Sequence, residues 1–117
     1  MKKQNTVGQP EVLFGFALRA RILIFGRENL MRLRNHLQFI LITEDISANS
    51  RKDILRDFRN CPVTQRYTTE DIESFFGVIG VKALGFRKSD LAQSLYAALK
   101  NYLIAENEIT TENTEKK

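Results

Sequence analysis

The fold is decided by one stretch of sequence, FILITEDIS at residues 39–47. Phe39–Ile42 is a short run of strand-favouring apolar residues, which is typical of a strand buried on both faces. A polar turn follows it, and Ser47 and Ser50 are the candidate N-caps of a helix. The stretch ILIFG at residues 22–26 repeats the order of a buried strand followed by a turn. A strand that leads directly into a helix predicts an α/β fold.

Outward from these stretches, the spacing of apolar residues predicts five helices and four strands. The third strand is the most polar, so we expect it at an edge of the sheet, and Thr69 is the expected cap of the helix that follows it. The alternation predicts helices on both faces of a mostly parallel sheet. The predicted helices span residues 10–20, 27–35, 47–60, 69–77 and 89–103, and the predicted strands span 22–25, 39–42, 63–67 and 81–86.

The composition fits one globular domain, since the chain has 117 residues, of which 43% are hydrophobic and 27% charged. We expect this domain at residues 10–104, between polar segments at 1–9 and 105–117 that are expected to be disordered. The longest apolar runs are far shorter than the roughly 20 residues that cross a bilayer. The single cysteine, Cys61, excludes an internal disulfide. We therefore expect a cytoplasmic protein without a membrane partner.

The basic residues are concentrated near the N-terminal half of the domain. The formal net charge is +4, and the tail from residue 105 holds four Glu against two Lys, so the domain is more basic than the whole chain. One group has a single acid, Glu28, within it and suits phosphate recognition. That group is Arg19, Arg21, Arg27, Arg32 and Arg34. A second group is interleaved with Asp53 and Asp57 and is expected to be a self-paired helix face: Arg51, Lys52, Arg56 and Arg59.

Two further features are candidates for ligand binding or catalysis. Gly26 lies between a strand and a helix, where helix amides can bind an anion, although a tight turn is the alternative. Glu44, Asp45 and Asp90 follow predicted strands, where they either hold Mg²⁺ or shape turns. Motifs for nucleotide hydrolysis or zinc are not seen, so we expect no cofactor and no metal.

Three segments together resemble one family. They are FGFALRA at 14–20, ILIFG at 22–26 and FILITEDIS at 39–47, and their order and spacing resemble the small ribosomal-protein family that binds kink-turn RNA. The similarity covers about residues 13–103 and is closest to the bacterial YlxQ-type members. The resemblance implies a three-layer α/β/α sandwich around a four-stranded mixed sheet.

The resemblance also implies a binding site. Gly26 matches a family glycine, Arg32 falls at the position of a family lysine, and Glu28 and Asn29 occupy the family's Asn-Glu pair in reversed order. The family's second contact is an apolar loop, matched here by residues 77–81. Val78 and Ile79 are then expected either to press against an extruded base or to belong to the core.

The leading hypothesis is a non-enzymatic, ribosome-associated protein that binds structured RNA at the start of its second helix. One alternative is a protein-interaction module that has kept the fold and lost RNA affinity. Another is a metal-dependent phosphoryl-transfer enzyme. The sequence leaves the oligomeric state open. The expected RNA-binding residues are Arg21, Gly26, Arg27, Glu28, Asn29, Arg32, Arg34, Val78 and Ile79.

Overall fold

The computed structural model describes residues 9–105, which form five helices and five strands. None of the helices in this range is long and apolar enough to cross a membrane. The helices are α1 (Glu11–Arg19), α2 (Arg27–Arg32), α3 (Ala48–Asp57), α4 (Thr69–Phe76) and α5 (Asp90–Leu99). The strands are β1 (Leu23–Phe25), β2 (Leu37–Ile42), β3 (Val63–Gln65), β4 (Ala83–Arg87) and β5 (Leu103–Ala105). Short 3₁₀ turns occupy Arg34–His36 and Lys100–Tyr102.

The strands form one mixed sheet in the order β1-β4-β2-β3-β5. The prediction of a mostly parallel sheet is wrong, because only β2 and β3 pair in parallel within the described residues. β4 lies antiparallel between β1 and β2 and pairs with both. The carboxyl ends of β1, β2 and β3 therefore meet at one end of the sheet, together with the beginning of β4. We call this the carboxyl end.

The buried side chains form two hydrophobic clusters, and β2 contributes to both. Phe39 and Leu41 belong to a cluster with residues of α1, α4 and α5, whereas Ile40 and Ile42 belong to one with residues of α2 and α3. Successive side chains of a strand point to opposite faces. The expectation from the apolar run at residues 39–42 that this strand is buried on both faces is confirmed, since all four side chains are fully buried.

The fifth strand was missed, and it changes the position of the third. Leu103 pairs with Thr64 and Ala105 with Val63, so β3 is an inner strand and the edge prediction is wrong. Thr64 made the strand look solvent-exposed, but its buried hydroxyl donates to the carbonyl of Ile40 at 3.1 Å. The final helix ends at Leu99. Its apolar spacing continues into β5, which is why the sequence predicted a longer helix.

The ends of the chain and several element boundaries also differ from the prediction. Ala105 lies in β5, and Gln9 accepts a hydrogen bond from the amide of Val12 at 3.1 Å, so both belong to the folded chain. The rest of the expected disorder, at residues 1–8 and 106–117, lies outside the described residues. α2 ends three residues early, in a 3₁₀ turn. The cap of α4 is Thr68, which forms a capping box with Asp71.

Gly85 tests the packing of β4 against the second cluster. A Cβ at this position would lie 2.7 Å from Cδ2 of Leu30 and 2.8 Å from Cδ2 of Leu37. We expect Gly85→Ala to lower the free energy of unfolding by about 1 to 3 kcal/mol, measured by urea denaturation. The control is Gly15→Ala in α1, where the nearest atom would be 3.9 Å away. This change should raise stability by roughly 0.5 to 1 kcal/mol, and a neutral Gly85→Ala would contradict the packing.

Candidate nucleic-acid interface

The start of α2 is positioned by a glycine at the carboxyl end of β1. Gly26 has a φ of +95°, a conformation that side chains with a Cβ rarely adopt, and it precedes the first residue of the helix. Its carbonyl accepts from the amide of Leu30 at 2.9 Å, which closes the first helical turn. The backbone therefore requires glycine here, and the position predicted from the sequence is confirmed as the junction of strand and helix.

The side chain of Asn29 makes hydrogen bonds on both sides of this junction. Its amide nitrogen Nδ2 donates to the carbonyl of Phe25 at 3.0 Å, and its oxygen Oδ1 accepts from Nη2 of Arg32 at 2.7 Å. The side chain of Asn29 thus connects the last residue of β1, Phe25, to the last residue of α2, Arg32. The neighbouring Glu28 is exposed and makes no hydrogen bond to any residue in the range 9–105. The two members of the reversed pair therefore differ, since Asn29 is held within the fold and Glu28 presents a free carboxylate.

Arg27 is held by an ion pair with a second helix. Its Nη2 lies 3.1 Å from Oδ2 of Asp57 at the end of α3. A hydrogen bond from Arg56 and the charges of Arg56 and Arg27 hold the pKa of Asp57 below its usual value. Arg56 also lies 3.2 Å from Asp53, so the expected self-pairing of α3 is confirmed at this arginine. Pairing between the helices was not foreseen, because it joins residues far apart in sequence.

Two neighbouring apolar residues of the loop between α4 and β4 differ in burial. Val78 is partly buried and packs against the first cluster, whereas Ile79 is 82% exposed. Gly77 ends α4 with a φ of +70°, and the amide of Gly80 donates to Oε2 of Glu73 at 3.1 Å. The interpretation as core is therefore correct for Val78. Ile79 is the residue presented to solvent.

A cavity of about 270 Å³ lies between the start of α2, α3 and this loop. Arg27 and Lys82 supply its positive charge, and Nζ of Lys82 donates to the hydroxyl of Thr69 at 2.8 Å. Apolar and small residues form most of the remaining wall. The cavity is lined by Gly26, Arg27, Ile46, Ser50, Ile54, Gly80, Val81, Lys82 and Ala83. The sequence identified Gly26 and Arg27 but not Ser50 or Lys82, which no local motif marks.

The predicted arginine cluster is divided between the two ends of the sheet. Arg27 lies at the cavity and Arg32 one turn along α2, where it is exposed. Arg21 precedes β1 and Arg34 precedes β2, so both lie where these strands begin, at the end of the sheet opposite the cavity. Arg19 lies over the ring of Phe16, at 5.0 Å from its centroid. One compact site holding all these arginines is therefore not formed.

The acids considered as a metal site are also separated. Asp45 accepts from the amide and the hydroxyl of Thr69 at 3.1 and 2.9 Å. Desolvation acts to raise the pKa of Asp45, but these hydrogen bonds more than offset it, so this pKa lies below its usual value. Asp90 follows the antiparallel β4 and lies at the opposite end of the sheet from Glu44 and Asp45. No group of three or more metal-ligating side chains occurs among residues 9–105.

Comparisons with known proteins show what this chain is similar to in fold. No family model matches the sequence, and no curated protein matches it. A solved structure described as a protein with unknown function from Bacillus halodurans is similar, with a TM-score of 0.70 and 18% sequence identity. The match covers 80% of this chain and 98% of that one. At this identity the likeness shows a shared mixed α/β fold.

The hydrogen bonds of Asn29 give a direct test of its role in the fold. We expect Asn29→Ala to lower the free energy of unfolding by about 0.5 to 1.5 kcal/mol, because the carbonyl of Phe25 loses its donor and Arg32 its acceptor. The matched control is Glu28→Ala, which should change stability by less than about 0.5 kcal/mol. Urea denaturation measures both. Equal effects of the two substitutions would contradict the geometry of the junction.

Proposed function

We propose that this protein binds structured RNA without catalysing a reaction, and that the RNA docks across the start of α2 and the loop before β4. The observation that carries this proposal is the cavity between these two segments. They come from distant parts of the sequence, and Arg27 and Lys82 add positive charge on its two sides. RNA recognition favours such sites, where an unstacked base enters a pocket while cations contact the phosphates around it.

The exposed surface beside the cavity supports the same proposal. Ile79 projects from the loop with little packing of its own, and an exposed aliphatic side chain can stack against an unpaired base. Arg32 extends the positive surface along α2. Glu28 presents a free carboxylate that can accept from base amino groups, whereas Asn29 already uses one donor and one acceptor of its amide within the fold. In the proposed complex Glu28 is the member of this pair that contacts a base edge.

The resemblance to the kink-turn-binding family supports the identity of the ligand as a structured RNA, and ribosomal RNA is one such molecule. The proposal includes the three-layer α/β/α arrangement of that family, which agrees with three helices contributing to one hydrophobic cluster and two to the other. A cytoplasmic location is part of the proposal and rests on the single cysteine, Cys61.

A protein-interaction module is the second candidate, and the surface of α1 favours it. Val12 and Phe16, four residues apart on α1, lie on one side of the helix and are 46% and 51% exposed. Exposed apolar side chains in such proximity are typical of protein contact surfaces. The metal-dependent enzyme has no comparable support, because Asp90 lies at the far end of the sheet from Glu44 and Asp45.

Salt dependence distinguishes RNA binding from the alternative. We expect the affinity for a synthetic kink-turn hairpin to fall linearly on a plot of log affinity against log salt, with a slope of about 0.7 to 0.9 per phosphate contacted. Arg32→Ala should reduce this slope by about 1 and weaken all structured RNAs similarly. The control is Lys52→Gln on α3, outside the cavity lining. Fluorescence anisotropy measures the affinities, and an absence of binding at low salt would favour the interaction module.

Ile79 gives a test of the loop that is independent of charge. We expect Ile79→Ser to weaken binding of the same hairpin by roughly 5- to 30-fold, on the order of one stacked base, with the slope against salt unchanged. Because this side chain is exposed, the substitution should leave the free energy of unfolding nearly constant. Val12→Ser on α1 is the matched control, since it removes an exposed apolar side chain elsewhere. Equal effects of the two substitutions would contradict a contact at the loop.

A further inference from the structure

The end of the sheet opposite the cavity carries a second set of cations. β1 and β2 begin at this end and β4 finishes there. The amide of Arg87 donates to the carbonyl of Ile22, and the amide of Lys88 donates to the carbonyl of His36, which joins the three segments. We call this surface the basic end. Its exposed cations are Arg21, Arg34, Arg59, Arg87 and Lys88, and they outnumber the exposed acid at this end, Asp90.

The basic end is concave where α3 runs into β3. A cavity of about 230 Å³ is lined there by Arg34, Asn35, Arg56, Asp57, Phe58, Arg59, Asn60 and Cys61. Among these lining residues the single acid is Asp57, and its carboxylate is already engaged by Arg27 and Arg56 at 3.1 and 2.9 Å. The lining residues therefore hold three arginines against one carboxylate, although Arg56 is also paired with Asp53 of α3 at 3.2 Å, so the surplus positive charge comes from Arg34 and Arg59. The charge of the cavity favours an anionic occupant.

The chain leaves the described fold toward this surface. β5 is antiparallel to β3, with Leu103 opposite Thr64 and Ala105 opposite Val63. β3 begins two residues after Cys61, which lines the cavity, so β5 runs toward the basic end. The next ten residues, ENEITTENTE at 106–115, hold four glutamates and no lysine or arginine. Ten residues span up to about 33 Å when extended, which exceeds the distance across several strands spaced about 4.8 Å apart.

We propose that the acidic segment 106–115 binds the basic end of its own chain, with its glutamates at the cavity lined by Arg34, Arg56 and Arg59. Three observations support this occupant: the charges are complementary, the chain exits at this end, and the segment is long enough to reach the cavity. A tether raises the effective concentration of the segment to the millimolar range, so weak pairs are enough to populate the contact. The contact is sensitive to salt, because the charges are exposed and the Debye length is about 8 Å at physiological ionic strength.

The contact has a consequence for RNA binding, and only this consequence rests on the proposed function. Arg34 follows α2 and continues its positive surface into the basic end. A bound acidic segment competes with RNA phosphates for this arginine. The segment thus weakens the binding of polyanions that extend past α2, and it leaves the cavity at the carboxyl end open.

Paramagnetic relaxation enhancement in the full chain tests the contact without any RNA. A spin label is attached through Thr111→Cys. Cys61 can stay in place, because burial raises its pKa to about 12 and keeps the thiol protonated and unreactive. At low salt we expect severalfold greater broadening of the backbone amides at residues 34–36, 58–60 and 87–88 than at residues 26–29 and 77–80.

Charge neutralisation supplies the matched controls. In the labelled chain, the combined change E106Q, E108Q, E112Q and E115Q should reduce the difference between the two ends severalfold, to the part that the attachment at residue 105 gives by itself, as should high salt. Neutralising three exposed acids at the carboxyl end, E28Q, E44Q and E70Q, should preserve it. Equal broadening at both ends in the unmodified chain, or broadening that the four tail substitutions leave unchanged, would overturn the proposal.

A nucleic acid is the competing occupant of the basic end, and a titration with RNA tests whether the acidic segment or a nucleic acid occupies this surface. The probe is a single-stranded oligouridylate of ten nucleotides. If the segment occupies the surface, the probe should shift the amides of residues 34, 87 and 88 at severalfold lower concentration in the chain with the four tail substitutions than in the unmodified chain. Identical titrations of the two chains would show that the acidic segment does not cover the surface, and would overturn the proposal whether or not the kink-turn hairpin binds.

Discussion

The fold depends on one strand that is buried on both of its faces. Phe39 and Leu41 of β2 point into one hydrophobic cluster, Ile40 and Ile42 point into the other, and none of the four side chains contacts solvent. Complete burial of such side chains contributes about 1.5 to 3 kcal/mol each. Polar backbone groups in this environment need partners, and β3 and β4 supply them on the two sides. The remaining elements are arranged around this strand.

The position of β4 between β1 and β2 creates the candidate interface. Since β4 runs against both neighbours, the loop before it arrives at the end where β1 and β2 finish. Gly80 and Lys82 therefore face Gly26 across a cavity, although the segments are distant in sequence. The same antiparallel course places Asp90, which follows β4, at the other end. The antiparallel course of β4 thus forms the cavity and also separates Asp90 from Glu44 and Asp45.

The two ends of the sheet differ in charge, and this difference shapes how a polyanion can approach. Glu28, Glu44 and Asp45 lie at the carboxyl end, so Arg27 and Lys82 act there beside carboxylates. The opposite end holds arginines that precede strands, together with Arg87 at the end of β4 and Lys88 after it. A ligand with many phosphates is attracted along α2 toward the basic end, whereas a ligand that enters the cavity at the carboxyl end requires contacts with bases and small side chains.

The sequence by itself determined the features that depend on near neighbours. The burial of residues 39–42 and the strand-to-helix junction at Gly26 follow from apolar spacing and backbone freedom within a few residues. The hydroxyl positions narrowed the cap of α3 to Ser47 and Ser50, of which Ser47 is the cap. The start of the final helix was predicted for the same reason, since the Ser89 hydroxyl accepts from the amide of Ala92. These interactions span one turn, so their pattern can be read directly along the chain.

Only the tertiary structure decided which distant segments meet. The strand order placed Arg21 and Arg34 away from Arg27, because strand direction assigns residues before and after a strand to opposite ends. β5 escaped prediction because three residues carry no period that distinguishes a strand from the end of a helix. The ion pair of Arg27 with Asp57 depends on how α2 and α3 pack, which no local pattern encodes. Local hydrogen bonds and apolar spacing fixed the elements, while sheet pairing and helix packing assembled the two surfaces.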